Sequence, residues 1–149
     1  MKLSTQIGKV KRLFLDTAPV IYYIEGDAKY LPHADIVFNA LDNLAFSAVT
    51  SPITLAECLI LPLRNADENV RKAFLELILN SQNIHFHSSD ETIALKAAEL
   101  RANYNLTLTD AFQVATAIVT ECDAFLTNDS ALKRVNEIHV IALGDFEPA

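Results

Sequence analysis

The feature that most constrains this chain is a short apolar run at residues 13–15 that ends abruptly in Asp16. Thr17 follows as a possible helix N-cap, and Pro19 stands where a helix can start. The pattern predicts a short buried strand followed directly by a helix. A carboxylate at that junction would lie at the carboxyl end of a strand, where open α/β sheets bind their ligands.

Short apolar segments and amphipathic segments alternate along the rest of the chain. Strands are predicted at 12–15, 46–49, 84–87, 123–126 and 139–143. Helices are predicted at 18–24, 34–44, from Ser51 and Pro52 onward, 67–79, from a Ser88–Glu91 capping box to about Asn103, from Thr109 as cap over 110–120, and 131–135. This order predicts one three-layer α/β/α domain over residues 1–149, with a central parallel sheet of about five strands.

Composition limits the function as well as the fold. Apolar residues make up 51% of the 149 residues, and the mean hydropathy is +0.21. Such a chain suits a sheet buried on both faces, or an additional apolar surface for association, so a homodimer is expected. The formal net charge of −7 argues against broad, non-specific binding to nucleic acid, which normally needs a basic surface. It does allow a local acidic cluster that binds metal ions.

The chain carries no signal of secretion or membrane insertion. Cys58 and Cys122 lie far apart in sequence and are typical of small apolar residues in a reducing compartment. No segment approaches about 20 uninterrupted apolar residues, and no signal-peptide cleavage site follows the basic N-terminus. We therefore expect a cytoplasmic protein without membrane association.

Four carboxylates are predicted to meet at one edge of the sheet. Asp16 ends the first strand, Glu57 lies early in the helix after the second, and Asp129 follows the fourth. Asp110 opens the helix that leads back to the fourth strand. Carboxylates gathered in this way repel each other unless a cation lies between them. Magnesium takes one or two protein carboxylates with waters and substrate phosphates, and such a site can activate a water and stabilise the leaving oxygen of a phosphodiester.

Four segments resemble the four acidic motifs of the PIN domain family, and most closely its VapC-type toxins. They are FLDTAPVIYYIE, SPITLAECL, LTLTDAFQVATAIV and FLTNDSALKRV, and the resemblance extends from about Leu13 to Val140. It implies an endoribonuclease dependent on Mg²⁺ or Mn²⁺, a homodimer and a neutralising antitoxin. It also implies four metal-site acids and a supporting hydroxyl that bonds a metal-bound water or Asp129; the acids are Asp16, Glu57, Asp110 and Asp129, and the hydroxyl is that of Thr127.

Two alternatives to a nuclease stay open. The chain could be an interaction module without useful catalysis, whose acidic pocket binds a basic partner or RNA. It could also transfer phosphate through Asp16, as haloacid-dehalogenase-like phosphatases and receiver domains do, although those phosphatases usually have a second Asp where this chain has Ala18. Each acid alone is also explained as a cap, a turn residue or a solvated position. His85 and His87 share a strand face and could bind metal, but they fit ordinary surface positions better.

Overall fold

The computed structural model describes residues 1–148 and contains one sheet of five parallel strands. The strands are β1 (Arg12–Leu15), β2 (Ser47–Thr50), β3 (Ile84–Phe86), β4 (Ala124–Thr127) and β5 (His139–Ala142). Their order is β3-β2-β1-β4-β5, and every neighbouring pair is parallel. The prediction of a parallel sheet of about five strands is confirmed.

Seven α-helices in the described part of the chain cover the two faces of this sheet. They are α1 (Leu3–Ile7), α2 (Thr17–Glu25), α3 (Leu31–Asp42), α4 (Pro52–Arg64), α5 (Glu68–Asn80), α6 (Glu91–Tyr104) and α7 (Leu108–Val119). Buried side chains of α1–α5 form one core cluster, and those of α6 and α7 form the other. The three-layer α/β/α arrangement is therefore confirmed. Within residues 1–148, none of the helices is long and apolar enough to cross a membrane.

Alternate residues of the short strands supply the two core clusters. In β1, Leu13 and Leu15 belong to the cluster under α1–α5, whereas Phe14 belongs to the cluster under α6 and α7. The Phe14 ring stacks on that of Phe125 in β4, with centroids 5.1 Å apart. Because both faces of the sheet are buried, the buried positions of these strands are mostly apolar, as expected for a parallel sheet. This explains why a run of only three apolar residues is enough to mark β1.

Helix starts follow local capping chemistry, and three predicted caps are wrong. The prediction for α4 holds: the Ser51 side chain accepts hydrogen bonds from the backbone at Ile53 and Thr54. The Ser88–Glu91 capping box does not form, because the Asp90 carboxylate accepts from the Ile93 N–H at 3.0 Å instead.

Thr109 does not cap α7. Thr107 is the extended residue before that helix, and its hydroxyl accepts the Asp110 N–H at 3.2 Å. Thr109 is already helical, so the helix begins at Leu108 rather than at 110. Asp110 nevertheless stays in the first turn.

Other boundaries differ from the predicted ones in ways that depend on tertiary packing. The five-residue α1 was not predicted; it buries Leu3 and Ile7 against the core. The predicted helix at 131–135 is a 3-10 helix, Ser130–Arg134. Of the two cysteines, Cys58 is buried and Cys122 half-buried, and neither forms a disulfide.

The chain reverses its direction across the sheet between β1 and β4. After β1 it passes through β2 to β3 on one side, and it then returns through α6 and α7 to place β4 on the other side of β1. The two strands meet closely at their carboxyl ends, where the Asp16 N–H donates to the Leu126 carbonyl at 3.0 Å. Ligands of open α/β sheets bind in the crevice at such a switch point.

At the opposite edge of the sheet, Asp123 joins the beginnings of β1 and β4. Its carboxylate accepts the N–H groups of Lys11 and Arg12 at 2.7 and 2.9 Å. These hydrogen bonds hold the pKa of Asp123 below its usual range, and the one from Arg12 has the larger effect. The residue therefore caps the beginning of a strand.

We expect Asp123→Ala to lower the free energy of unfolding at pH 7 by about 1 kcal/mol, as loss of a helix N-cap does. Because the folded pKa of Asp123 is depressed, its contribution is present above the unfolded pKa of about 3.9 and is lost as the pH falls through the folded pKa. Urea denaturation of both proteins at pH 7 and in a series below pH 4 measures this difference. Asp42→Ala, at an exposed position at the end of α3, is the control and should change stability little. A difference between wild type and Asp123→Ala that persists at low pH would contradict the charged-acceptor explanation.

Candidate active site

The Asp16 side chain points away from the helix that it precedes. Asp16 occupies the N-cap position of α2, yet its side chain makes no capping hydrogen bond. One carboxylate oxygen accepts from the Thr127 hydroxyl at 2.8 Å, and the other accepts from the Gln113 side-chain amide at 3.3 Å. The carboxylate is thus held across the switch point, between the end of β4 and α7.

The environment of Asp16 disfavours its negative charge. Burial raises the pKa of Asp16, and the nearby Asp110 carboxylate acts in the same direction. Hydrogen bonds from Thr127, from the Thr17 backbone and from Gln113 oppose the shift but do not cancel it. A cation in this place would reverse the balance, because an opposite charge favours the ionised form.

Glu57 lies on the exposed surface of α4 but is tied to the beginning of α2. Its Oε1 accepts a hydrogen bond of 2.6 Å from the Thr17 hydroxyl. The predicted N-cap role of Thr17 is therefore wrong: this residue is the first residue of α2, and its hydroxyl orients a carboxylate of another helix. The bond fixes one oxygen of Glu57 and leaves its second oxygen for a ligand.

The fourth motif carries a turn that serves two purposes. The Asp129 Oδ1 accepts the Ala131 N–H at 3.0 Å, so Asp129 caps the 3-10 helix that follows β4. The Thr127 hydroxyl accepts the Asp129 N–H at 3.1 Å while it donates to Asp16. Thr127 therefore bonds the Asp16 carboxylate and the Asp129 backbone, rather than the Asp129 side chain.

All five residues singled out from the sequence line one open cavity of about 320 Å³ at the carboxyl edge of the sheet. They are Asp16, Glu57, Asp110, Thr127 and Asp129. A larger cavity, of about 370 Å³, lies beside the end of α7 and includes Arg12, His85, His87 and one carboxylate, Glu121. This second cavity is larger, but it has only one carboxylate, whereas binding of a metal ion needs several oxygen ligands. Those ligands line the 320 Å³ cavity, here called the acidic cavity.

A buried polar network behind Asp16 was not predicted. Gln113 is only 1% exposed and accepts a short hydrogen bond from the Ser51 hydroxyl. Its amide nitrogen donates to Thr54 at 2.7 Å and to Asp16 at 3.3 Å. The Thr54 hydroxyl in turn donates to the Leu15 carbonyl at 3.2 Å. The network therefore links α7, α4 and the end of β1 behind the acidic cavity.

The sequence carried one signal of this network. Gln113 is a polar residue in the apolar segment AFQVATAIV, three residues after Asp110 and so on a nearby part of the helix surface. A buried amide must be hydrogen-bonded, so its presence in a core-facing helix predicts a polar partner. Which partner it finds depends on the tertiary fold.

The donor set fits a hydrated divalent cation better than a fully protein-ligated one. Four carboxylates line the cavity, and hard cations bind such oxygen ligands. Among residues 1–148, no three His, Cys, Asp or Glu side chains lie close enough together to ligate one ion directly. Magnesium keeps several waters and takes only one or two direct carboxylates, so the remaining acids could bind it through water.

Solved structures share this fold. Rickettsia felis VapBC2 bound to a promoter DNA fragment contains a chain with a TM-score of 0.67 and 17% identity, over 88% of this chain and 98% of that chain. A toxin–antitoxin complex from Klebsiella pneumoniae contains a chain with a TM-score of 0.65 and 20% identity, over 88% of this chain and 97% of that chain. Mycobacterium tuberculosis VapC20, a toxin that cleaves the sarcin–ricin loop, has a TM-score of 0.59 and 16% identity, over 76% of this chain and 86% of that chain. A search of curated proteins found no match.

The fold and the cavity define an α/β protein that gathers carboxylates at the switch point of a parallel sheet. The model of the PIN domain family matches residues 13–138, and the chain belongs to this family. Proteins of the PIN and VapC type are nucleases, which supports a nuclease role.

We expect Gln113→Leu to lower the free energy of unfolding by about 2–3 kcal/mol, because it removes the hydrogen bonds that Ser51, Thr54 and Asp16 make with a buried amide. Leucine has nearly the same volume, so a cavity contributes little. Chemical denaturation measures the change, and Gln82→Leu at an exposed position should stay within about 0.5 kcal/mol of wild type. A Gln113→Leu protein as stable as Gln82→Leu would show that the network adds no stability.

Proposed function

We propose that this protein is a metal-dependent endoribonuclease that hydrolyses RNA phosphodiester bonds. The observation that carries the proposal is the convergence of four carboxylates on one cavity at the β1–β4 switch point. The function follows from the needs of the reaction, because a phosphodiester resists attack until its charge is neutralised and the attacking water is activated. When bound, Mg²⁺ or Mn²⁺ supplies both effects.

The acids divide into roles according to their contacts. Asp16 and Asp129 would hold the cation, directly or through water, and Asp16 is kept in place by Thr127 and Gln113. Glu57 and Asp110 would complete the shell, and the free oxygen of Glu57 is suited to orient a water. A carboxylate fixed by hydrogen bonds need not reorganise as the reaction proceeds, which favours catalysis. Water adds to phosphorus, the bond to the 3′ oxygen breaks, and the products are a 5′-phosphate and a 3′-hydroxyl.

We further propose that the nuclease is the toxin of a toxin–antitoxin pair. The support is the shared fold with chains of VapBC complexes, some of them bound to DNA. An antitoxin with a basic segment would complement both the acidic cavity and the net charge of −7. The expected homodimer and the cytoplasmic location stay predictions.

Asp16→Asn is expected to reduce RNA cleavage by about 100-fold or more, because it removes a charge from the cavity while it keeps the shape of the side chain. The assay is cleavage of a pool of structured RNAs with Mg²⁺, with Mn²⁺ and with EDTA, and activity should require a metal. The matched control is Asp42→Asn, an exposed aspartate at the end of α3, which should cleave at the wild-type rate.

The result that contradicts the proposal is metal-dependent cleavage by a folded, pure Asp16→Asn protein. No cleavage by wild type on any RNA, together with tight binding of a basic partner, would instead favour the interaction module.

Expression of the wild-type chain in a bacterial host is expected to arrest growth, because uncontrolled cleavage of RNA stops translation. The matched strain expresses Asp16→Asn at the same level, confirmed by immunoblot, and should grow normally. Optical density and viable counts after induction measure the effect. Equal arrest by both chains would show that any toxicity has a cause other than this cavity.

A further inference from the structure

The acidic cavity also has a wall that is not acidic. Tyr22 of α2 and Asn128, which follows β4, line it together with the carboxylates. The Asn128 amide nitrogen donates a hydrogen bond of 2.9 Å to the Tyr22 hydroxyl oxygen. The side-chain oxygen of Asn128, Oδ1, accepts the Gly144 N–H at 3.0 Å, which fixes the orientation of the side-chain amide. Tyr22 and Asn128 thus form one hydrogen-bonded pair at the cavity.

The threonine hydroxyls that line the cavity already donate hydrogen bonds within the protein. The Thr17 hydroxyl donates to Glu57, and the Thr127 hydroxyl donates to Asp16. Ionised carboxylates can only accept. The Tyr22 oxygen accepts from Asn128, but within residues 1–148 its own proton has no acceptor. The phenol of Tyr22 is therefore the lining hydroxyl that is free to donate to a ligand.

The pair is held rigidly from behind. The Tyr22 ring stacks on the Tyr30 ring, with centroids 4.9 Å apart and planes 22° apart. Asn128 also acts on Tyr30. A hydrogen bond from Asn128 is the main cause that lowers the pKa of Tyr30, and a hydrogen bond from Lys29 is the second. A Cβ at Gly144 would lie 3.2 Å from the Asn128 carbonyl oxygen and 3.4 Å from the Tyr30 hydroxyl, so glycine provides the space for this arrangement.

An RNA strand faces an electrostatic difficulty at this cavity. Its phosphates are anionic, and the carboxylates repel them except where a cation intervenes. A phosphate oxygen needs a donor from the protein, and contacts of this kind set the position of the strand. A phenol that already accepts a hydrogen bond is a stronger donor, because chains of hydrogen bonds polarise one another.

We propose that the Tyr22 hydroxyl donates a hydrogen bond to a non-bridging phosphate oxygen of the RNA strand beside the acidic site, with Asn128 holding the phenol in place. This assignment rests on the proposed nuclease function and adds a substrate-binding residue to it. It also gives an acidic protein a means of placing an anionic strand without a basic surface.

The test is the steady-state kinetics of Tyr22→Phe on an RNA that wild type cleaves. Phenylalanine keeps the ring and its stack on Tyr30 but removes the donor. We expect KM to rise about tenfold with kcat within about twofold of wild type, as expected for a lost substrate hydrogen bond to a charged group. The control is Tyr23→Phe on the same helix, because Tyr23 stacks on Phe38 at 4.2 Å and is not among the residues that line the cavity.

A binding measurement separates this inference from the proposed function. Fluorescence anisotropy compares Asp16→Asn with the double variant Asp16→Asn/Tyr22→Phe on a fluorescein-labelled single-stranded RNA in Mg²⁺, and the double variant should bind about tenfold more weakly. Equal affinities, or a Tyr22→Phe enzyme with wild-type KM, would overturn the role of Tyr22 and leave the nuclease intact. A fall in kcat and thermal stability at constant KM would also overturn it, because that is the signature of a structural role. If wild type cleaves no RNA, the proposed function fails, and the anisotropy result alone decides whether Tyr22 binds the strand.

Discussion

The site depends on one partly buried carboxylate, that of Asp16, and the fold is arranged to hold it. Removing a charge from water is costly, and the cost is tolerable only where hydrogen bonds or an opposite charge replace the water. Here three separate parts of the chain contribute: Thr127 at the end of β4, Gln113 in α7 and the first backbone N–H of α2. Burial and the nearby Asp110 carboxylate raise the pKa of Asp16 despite these bonds. Because an opposite charge favours the ionised form of a carboxylate, a cation bound there would stabilise Asp16.

Sheet topology brings those parts together. A parallel strand must be followed by a crossover, and the crossover from β3 through α6 and α7 places β4 against β1 rather than at an outer edge. The beginning of α7 therefore reaches the carboxyl edge of the sheet together with Asp16 and Asp129. Residues more than 90 positions apart in sequence, such as Asp16 and Gln113, become hydrogen-bonded because of this order of strands.

The sequence was sufficient for the order of the elements and for the edge at which the acids lie. Both follow from periodicity, and short strands that are apolar on both faces, such as β1, leave little ambiguity. Caps were less predictable, because two candidate side chains often lie within three residues. Asp90 and Thr107 displaced the predicted Ser88 and Thr109, and the backbone conformation at each position decided the choice. The five-residue α1 could not be predicted, since so short a helix is stable only through its tertiary contacts.

Partners of the acids were the least predictable part of the site. The hydroxyl of Thr17 looked like an N-cap, but it meets Glu57 because α2 and α4 start at the same edge of the sheet. The Tyr22 ring packs on Tyr30 while its hydroxyl bonds Asn128 at the cavity, as amphipathic aromatic residues commonly do. The cavity therefore has two chemically different sides: one carries the negatively charged carboxylates, and the other carries the Tyr22 hydroxyl, which can donate a hydrogen bond. Under the proposed function, such a cavity would orient a strand that is anionic along its backbone, because the side that holds the cation and the side that donates would each fix a different oxygen.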